Sequence, residues 1–248
     1  MPLNLERLRR SNNARLRQYE RFGIRVFTEA LRLQAVPNPS AMPMQDAYVR
    51  FYQEVFVDAA KREYNRIRMQ EKAFVPSDFL LNTWREWIRD WVVKNLYDLI
   101  NEVTATTLKK VEDILSEAIE LGLNPTQTQD LLLERIPDVK RARAIARTES
   151  TRANNMGKKR SATEYANQSG DTLYKVWIWG GSREPRLEHV QLQNKPIKAN
   201  DFFIGINDKQ MDIPGDRQGG PENTINCSCS VVYISERLAR RRYPDSFQ

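Results

Sequence analysis

Apolar residues recur near the helical period along the first two thirds of the chain. From Leu3 to about Gln34 they fall at Leu5, Leu8, Leu16, Phe22, Val26 and Ala30 in a polar, Arg-rich run, which predicts a long amphipathic helix. The loop Val36 to Pro43 holds three prolines and must end it, because proline lacks the N–H that continues a helix. A second helix is predicted from about Gln45 to Lys72, with Tyr48, Phe51, Tyr52, Val55 and Ala59 on one stripe. Phe74 to Ser77 breaks the pattern, and Ser77 or Asp78 is placed to cap the next helix. That third region runs from about Asn82 to Leu121, with Trp84, Ile88, Trp91, Leu99, Val103, Val111, Ile114 and Ala118 on a stripe that Trp87 widens. Tryptophans so spaced are expected as core, although a partner-binding face would carry the same pattern. Gly122 is a suitable stop, Asn124-Pro125 opens a short helix to Arg135, and Pro137 ends that one. A fourth long helical segment extends from about Asp138 to Gly170.

The texture then changes. Thr172 to Trp179 is β-branched and aromatic and alternates as a half-buried strand does. Glycines and prolines punctuate the chain from Gly180 to Pro221, with short strands expected at Ile197–Ile204 and Ser230–Ile234 and a short helix or disordered tail after Glu236. The fold class expected is α+β: a long helical N-terminal region followed by a small helix-plus-β C-terminal module. The expected division is 1–137 as a helical docking region, 138–236 as the module and 237–248 as a basic tail.

The formal charge is +7, and the excess gathers at the two ends. Arg7, Arg9, Arg10, Arg15 and Arg17 crowd the first helix, and Arg240, Arg241 and Arg242 the last residues. Clustered arginine attracts nucleic acid or an acidic protein surface, although a solvated helix face with a basic tail reads the same way. Few aromatics are interleaved with the N-terminal cluster, so reading of bases is not indicated. The arginines also interrupt any apolar core of a signal peptide, and no apolar run is long enough to span a bilayer, so a cytoplasmic stage is expected.

Two sites carry candidate chemistry. Ala142, Ile145, Ala146, Ala153 and Met156 form an apolar stripe in the fourth helix, and Glu149 falls on it at i+4 from Ile145. A carboxylate there is expected to be partly buried and to need a partner, either Arg152 or an arginine of the β module; a catalytic carboxylate is the alternative. As an ion-pair member, Glu149 is expected to lower stability when replaced by alanine. The second site is His189, Cys227 and Cys229, the chain's one histidine and its two cysteines. Zinc held by these three and a carboxylate such as Asp201 or Asp212 is chemically possible, but a one-residue gap between ligands is unusual; the alternative is a hydrogen-bonded histidine beside two packed cysteines. No disulfide is expected between cysteines so close in sequence. No nucleophile elbow, phosphate-binding loop or dinucleotide fingerprint occurs.

Several of these pieces fall in a recurrent order. Ala146-Arg147-Thr148-Glu149 is followed by Asn154 and Asn155, then the strand with Trp177 and Trp179, and then Arg186-Leu187-Glu188-His189. Pro214-Gly215-Asp216 and Asn226-Cys227-Ser228-Cys229 complete the set. The ordered set, over about 138–234, resembles the Mu F-like head-morphogenesis family of tailed phages. Ser228 departs from the family's arginine between the cysteines, Ser182 from an aspartate and Asn194 from a glycine. The resemblance implies a multi-copy virion protein, not a free-standing enzyme, lying in the head interior near the portal vertex. Portal protein and major capsid protein are its implied partners, with packaged DNA a further candidate for the basic ends. It implies a role in head assembly, DNA packaging or ejection. Two alternatives stay open: a nuclease-like or other effector enzyme delivered with the DNA, tested first at Glu149, His189 and Arg186, and a zinc-stabilised DNA-binding module. The Arg-rich N-terminus is expected to be partly disordered away from its partners.

Overall fold

The computed structural model describes residues 5–34, 42–71, 78–123 and 139–247 except Arg183, with Gln127, Asp130, Leu131, Glu134 and Arg135 between them. Helices α1 (Leu5–Gln34), α2 (Met42–Glu71) and α4 (Val139–Ser169) pack on one another, and α3 (Asp78–Glu120) lies against α2. The aromatic stripe of α2 fills the centre. Phe51 meets Phe22 and Phe27, Tyr52 stacks on Trp91 at 5.5 Å, Phe56 stacks on Trp87 at 5.2 Å, and Tyr64 meets the fully buried Trp84 edge-on. Trp84 therefore lies in the core, and Trp87 and Trp91 pack half-buried against its edge.

Two helix starts differ from the sequence reading. Pro43 lies inside the first turn of α2, where its missing N–H has no intrahelical partner to lose, so the helix begins at Met42 and not after the proline. Helix α3 begins at Asp78, one turn before Asn82, and buries Leu80. Gly122 ends α3 in the left-handed region at φ +65°, with Leu123 N–H donating to the Ala118 carbonyl at 2.9 Å. Leu3, the 36–41 and 74–77 breaks, the Asn124-Pro125 start, Pro137 and the side chains of Leu99, Val103 and Val111 lie outside the described residues.

The C-terminal part holds a three-stranded antiparallel sheet in the order β2 (Pro196–Lys198), β1 (Leu173–Ile178), β5 (Ser230–Ser235). Strands β3 (Phe203–Ile204) and β4 (Gln210–Met211) form a second, two-stranded sheet. The single strand expected over Ile197–Ile204 is thus two strands in two sheets, separated by a turn at Ala199–Asn200. Strand β1 is buried on both faces, not half-buried. Leu173 and Trp177 face the helices, while Tyr174, Val176 and Ile178 meet Val232, Ile234 and the C-terminal helix α7 (Glu236–Arg242), which follows the short helix α6 (Pro221–Thr224) and β5. Residues 237–247 form α7 and a turn of 3-10 helix, with Leu238, Tyr243 and Phe247 packed on this second cluster beside Leu8 of α1. One core cluster joins described residues on both sides of 137/138, from Leu16 to Tyr233, so the packing crosses the division placed there.

Candidate functional site

Helix α4 is polar on nearly every side, yet Thr148, Glu149, Thr151, Arg152, Asn155, Lys158 and Ser161 are all buried. Buried polar groups need partners, and the backbone of the 213–231 segment supplies many of them. Thr148, Thr151 and Asn155 repeat at i, i+3 and i+7 on one face. Thr148 Oγ1 accepts from Asn226 N–H at 3.1 Å, and Thr151 Oγ1 donates to the Cys227 carbonyl at 2.5 Å. Asn155 Nδ2 donates to the Pro214 and Cys229 carbonyls at 3.0 and 3.1 Å, while its Oδ1 accepts from Val231 N–H at 3.0 Å. One helix face therefore reads the backbone of Asn226 to Val231 as another strand would.

Glu149 and Arg152 close the other side. Arg152 Nη1 lies 2.7 Å from both Glu149 oxygens, Arg152 Nε donates to the Gly215 carbonyl at 3.0 Å, and Tyr52 OH of α2 donates to Glu149. Burial, then the neighbouring carboxylate, pushes the Tyr52 phenol well above its ordinary range, so it stays a donor. Glu149 and Arg152 are 6% and 7% exposed; removing one partner of such a pair strands the other, at a typical cost of about 3–5 kcal/mol.

Two buried lysines went unnoticed in the sequence. Lys158 Nζ donates to Asn12 Oδ1, Ser230 Oγ and the Val231 carbonyl at 2.9, 2.6 and 3.2 Å. Lys175, on the helix-facing side of β1, pairs with Asp212 at 2.6 Å, and Asp212 also meets Lys159. Burial lowers the Lys175 pKa against the pull of Asp212, and the two lysines hold the Asp212 carboxyl below its usual range against burial.

His189 lies on α5 (Leu187–Gln191), and Cys227 and Cys229 on the turn that leads into β5. All three are buried, with their ligand atoms within 4.8 Å of one another, so this trio is able to hold a metal ion. His189 Nε2 lies 3.1 Å from Asn223 Oδ1, and Trp177 packs edge-on against the imidazole. The cysteines are free thiols. A hydrogen bond from Cys229, opposed by burial, sets the Cys227 thiol well below its ordinary pKa. The same hydrogen bond and burial push Cys229 well above it. Asp201 and Asp212, the carboxylates suggested for a fourth ligand, do not belong to this group.

Beside the Cys227–Cys229 turn opens a cleft of about 880 Å³ lined by Asn13, Arg17, Arg147, Arg186, Asn226 and Ser228, among others. Arg147 faces Glu20 of α1 at 3.3 Å, and Arg186 donates to the Ile225 carbonyl at 2.7 Å.

Residues 109–232 match the model of a family described as phage Mu protein F like protein. The chain belongs to the phage Mu F-like family of head-morphogenesis proteins. Searches of the curated proteins and of the solved structures return no match. The family match begins inside α3, upstream of the 138–234 stretch where the sequence motifs lie.

In Mu F-like terms, the separated motifs form one unit. The Arg147–Asn155 stretch clamps the Asn226–Cys229 stretch, and Trp177 and His189 pack beneath it. The family's departures also find a place. Asn194 keeps the left-handed backbone, φ +64°, that glycine would adopt, as asparagine tolerates better than most residues. Ser228 lies against Gly180, and Ser182 Oγ donates to the Glu184 carbonyl at 3.1 Å.

The basic ends are folded parts. Arg9 pairs with Glu6 and lies over the Trp179 ring; Arg10 also pairs with Glu6, and Arg15 donates to Gln18. Arg240 pairs with Glu236 and lies over Phe247. Arg7, Arg17 and Arg241 are exposed, and Arg242 is half-buried. Leu8 and Leu238 pack on the same small cluster, which brings both Arg-rich ends to one side of the molecule. Among the described residues, no helix is long and apolar enough to cross a membrane.

Proposed function

We propose that this chain is a minor head protein of a tailed phage, docked in several copies at the portal and inner capsid face, and that it acts in head assembly, DNA packaging or DNA ejection. The family match over 109–232 carries the reading. In this reading the Mu F-like module does not work alone, because its core continues into α1 and α2. The paired Arg-rich ends suit an acidic face of a head protein or packaged phosphates. Exposed Leu115, Ile119 and Leu121 at the C-terminal end of α3 suit an apolar protein contact. Glu149 serves the fold: its oxygens are taken by Tyr52 and Arg152, and it does not line the 880 Å³ cleft.

The test is to tag the chain in its phage, purify the heads, and co-express it with the portal protein of the same phage. A fixed, small copy number in heads and a stoichiometric portal complex are the expected results. Finished heads that lack the chain, with no portal complex, overturn the reading.

A further inference from the structure

The head role leaves one chemical group of the core unused: His189, Cys227 and Cys229. His189 Nδ1 stands 3.8 Å from Cys227 Sγ and 3.7 Å from Cys229 Sγ. In a tetrahedral zinc site, Zn–N and Zn–S bonds of about 2.05 and 2.3 Å place each N···S edge at about 3.6 Å. Both edges here are close to that length. A thiol–imidazole hydrogen bond explains one near sulfur but not two, since a neutral imidazole has a single lone pair to offer.

Asn223 fixes which nitrogen carries that lone pair. Its Nδ2 donates to the Ile206 and Gly219 carbonyls at 3.2 and 2.7 Å, and its Oδ1 accepts from Ile206 N–H at 2.9 Å. The amide is therefore oriented by the backbone, and its oxygen faces His189 Nε2 at 3.1 Å. Nε2 must carry the proton, which leaves Nδ1 bare and directed at the two sulfurs. A ligating histidine is ordinarily held in this way, with its second nitrogen donating to a fixed oxygen. Cys229 N–H lies 3.4 Å from Cys227 Sγ, a donor for a charged sulfur.

We propose that His189 Nδ1 and the Cys227 and Cys229 thiolates form a zinc site, with the fourth position taken by water or an exogenous ligand. Two thiolates and a neutral imidazole balance the charge of Zn²⁺, so the buried site is neutral as a whole. Soft sulfur with imidazole selects zinc over magnesium or calcium, which take oxygen ligands. Asp212 is committed to Lys159 and Lys175, and among the described residues the group offers three ligand atoms. The ion ties α5 to the lead-in of β5 across Trp177, in a module with little core of its own. The site rests on these residues alone and stands whether or not the chain docks at the portal.

The full chain, stripped of metal and kept reduced, is titrated with Co²⁺ and then Zn²⁺. One Co²⁺ per chain is expected, with the visible bands of tetrahedral cobalt and near-ultraviolet thiolate-to-metal absorption, all lost on adding one equivalent of Zn²⁺. Cys227→Ser and Cys229→Ser each weaken the thiolate absorption, and Asn223→Ala lowers zinc affinity about 10–100-fold. No uptake by the unaltered chain overturns the proposal, as does a six-coordinate cobalt spectrum or one unchanged in both serine variants. The titration of the unaltered chain decides the matter even if a variant fails to fold.

Discussion

Lys158 is enclosed in the core with three oxygens around its ammonium, and one of them, Asn12 Oδ1, comes from 146 residues away in the chain. Burial pushes its pKa down to about 7, with Arg62 and Arg66 adding to the effect and Glu63 opposing it. Below about pH 7 the folded and unfolded chains both carry this proton, so the cost of burying the charge is present in full. As pH rises toward 10.5 the folded chain gives up the proton first, and the lysine's contribution to stability increases. We predict a gain of about 1–3 kcal/mol between about pH 7 and about pH 9 from this residue, read as the difference between unaltered protein and Lys158→Met in denaturant unfolding. Parallel pH profiles for the two proteins would show that the lysine keeps its charge throughout. None of this was legible in the sequence, where lysine in a polar helix reads as surface. The Glu149–Arg152 pair was legible, because three residues along a helix make neighbours. Tyr52, 97 positions from Glu149, was not.

Helices α1, α2 and α4 approach closely because small residues stand where they cross. A Cβ on Gly157 of α4 would meet the Phe56 carbonyl oxygen of α2 at 2.3 Å and Ala60 N at 3.0 Å. A Cβ on Gly23 of α1 would meet Ala146 Cβ of α4 at 2.8 Å. Alanine is the better helix former by about 1 kcal/mol, but here it must force two backbones apart, and overpacking of this kind costs about 1–3 kcal/mol or more. The contact is with backbone, which cannot turn aside as a side chain can, so the steric effect wins. Gly157→Ala is expected to destabilise by about 1–3 kcal/mol in urea unfolding; a more stable variant would mean that α2 and α4 separate freely. Element type was readable from periodicity, since α2 buries the stripe its sequence displays and α3 buries Trp84, Ile88, Ile114 and Ala118 of its own. The split of β2 from β3 was not, because short strands are settled by partners, here β1 and β4, and not by alternation along a few residues.

At the scale of the whole molecule, the Arg-rich N-terminus is where composition and packing part company. Its charge suggests a segment ordered only by a partner, yet α1 buries Leu16, Tyr19, Phe27, Ala30 and Leu31 and packs along α4. Periodicity showed an apolar stripe but not what it met, since the opposing helix lies more than a hundred residues downstream. The polar contacts are equally long-range: Asn12 accepts from Lys158, and Asn13 donates to the Gly180 carbonyl at 2.8 Å. Removing α1 exposes its share of the core and leaves Lys158 with one oxygen fewer, inside a module whose own strands are short. A chain beginning at residue 138 is therefore expected to lack cooperative unfolding and the near-ultraviolet circular dichroism of fixed aromatics. In the full chain, amides of α1 facing α4 should exchange as slowly as those of α4 itself, because the two open together. Rapid exchange across α1, with α4 still protected, would restore the view of a segment that folds only when docked; equal protection makes α1 part of what the head receives already folded.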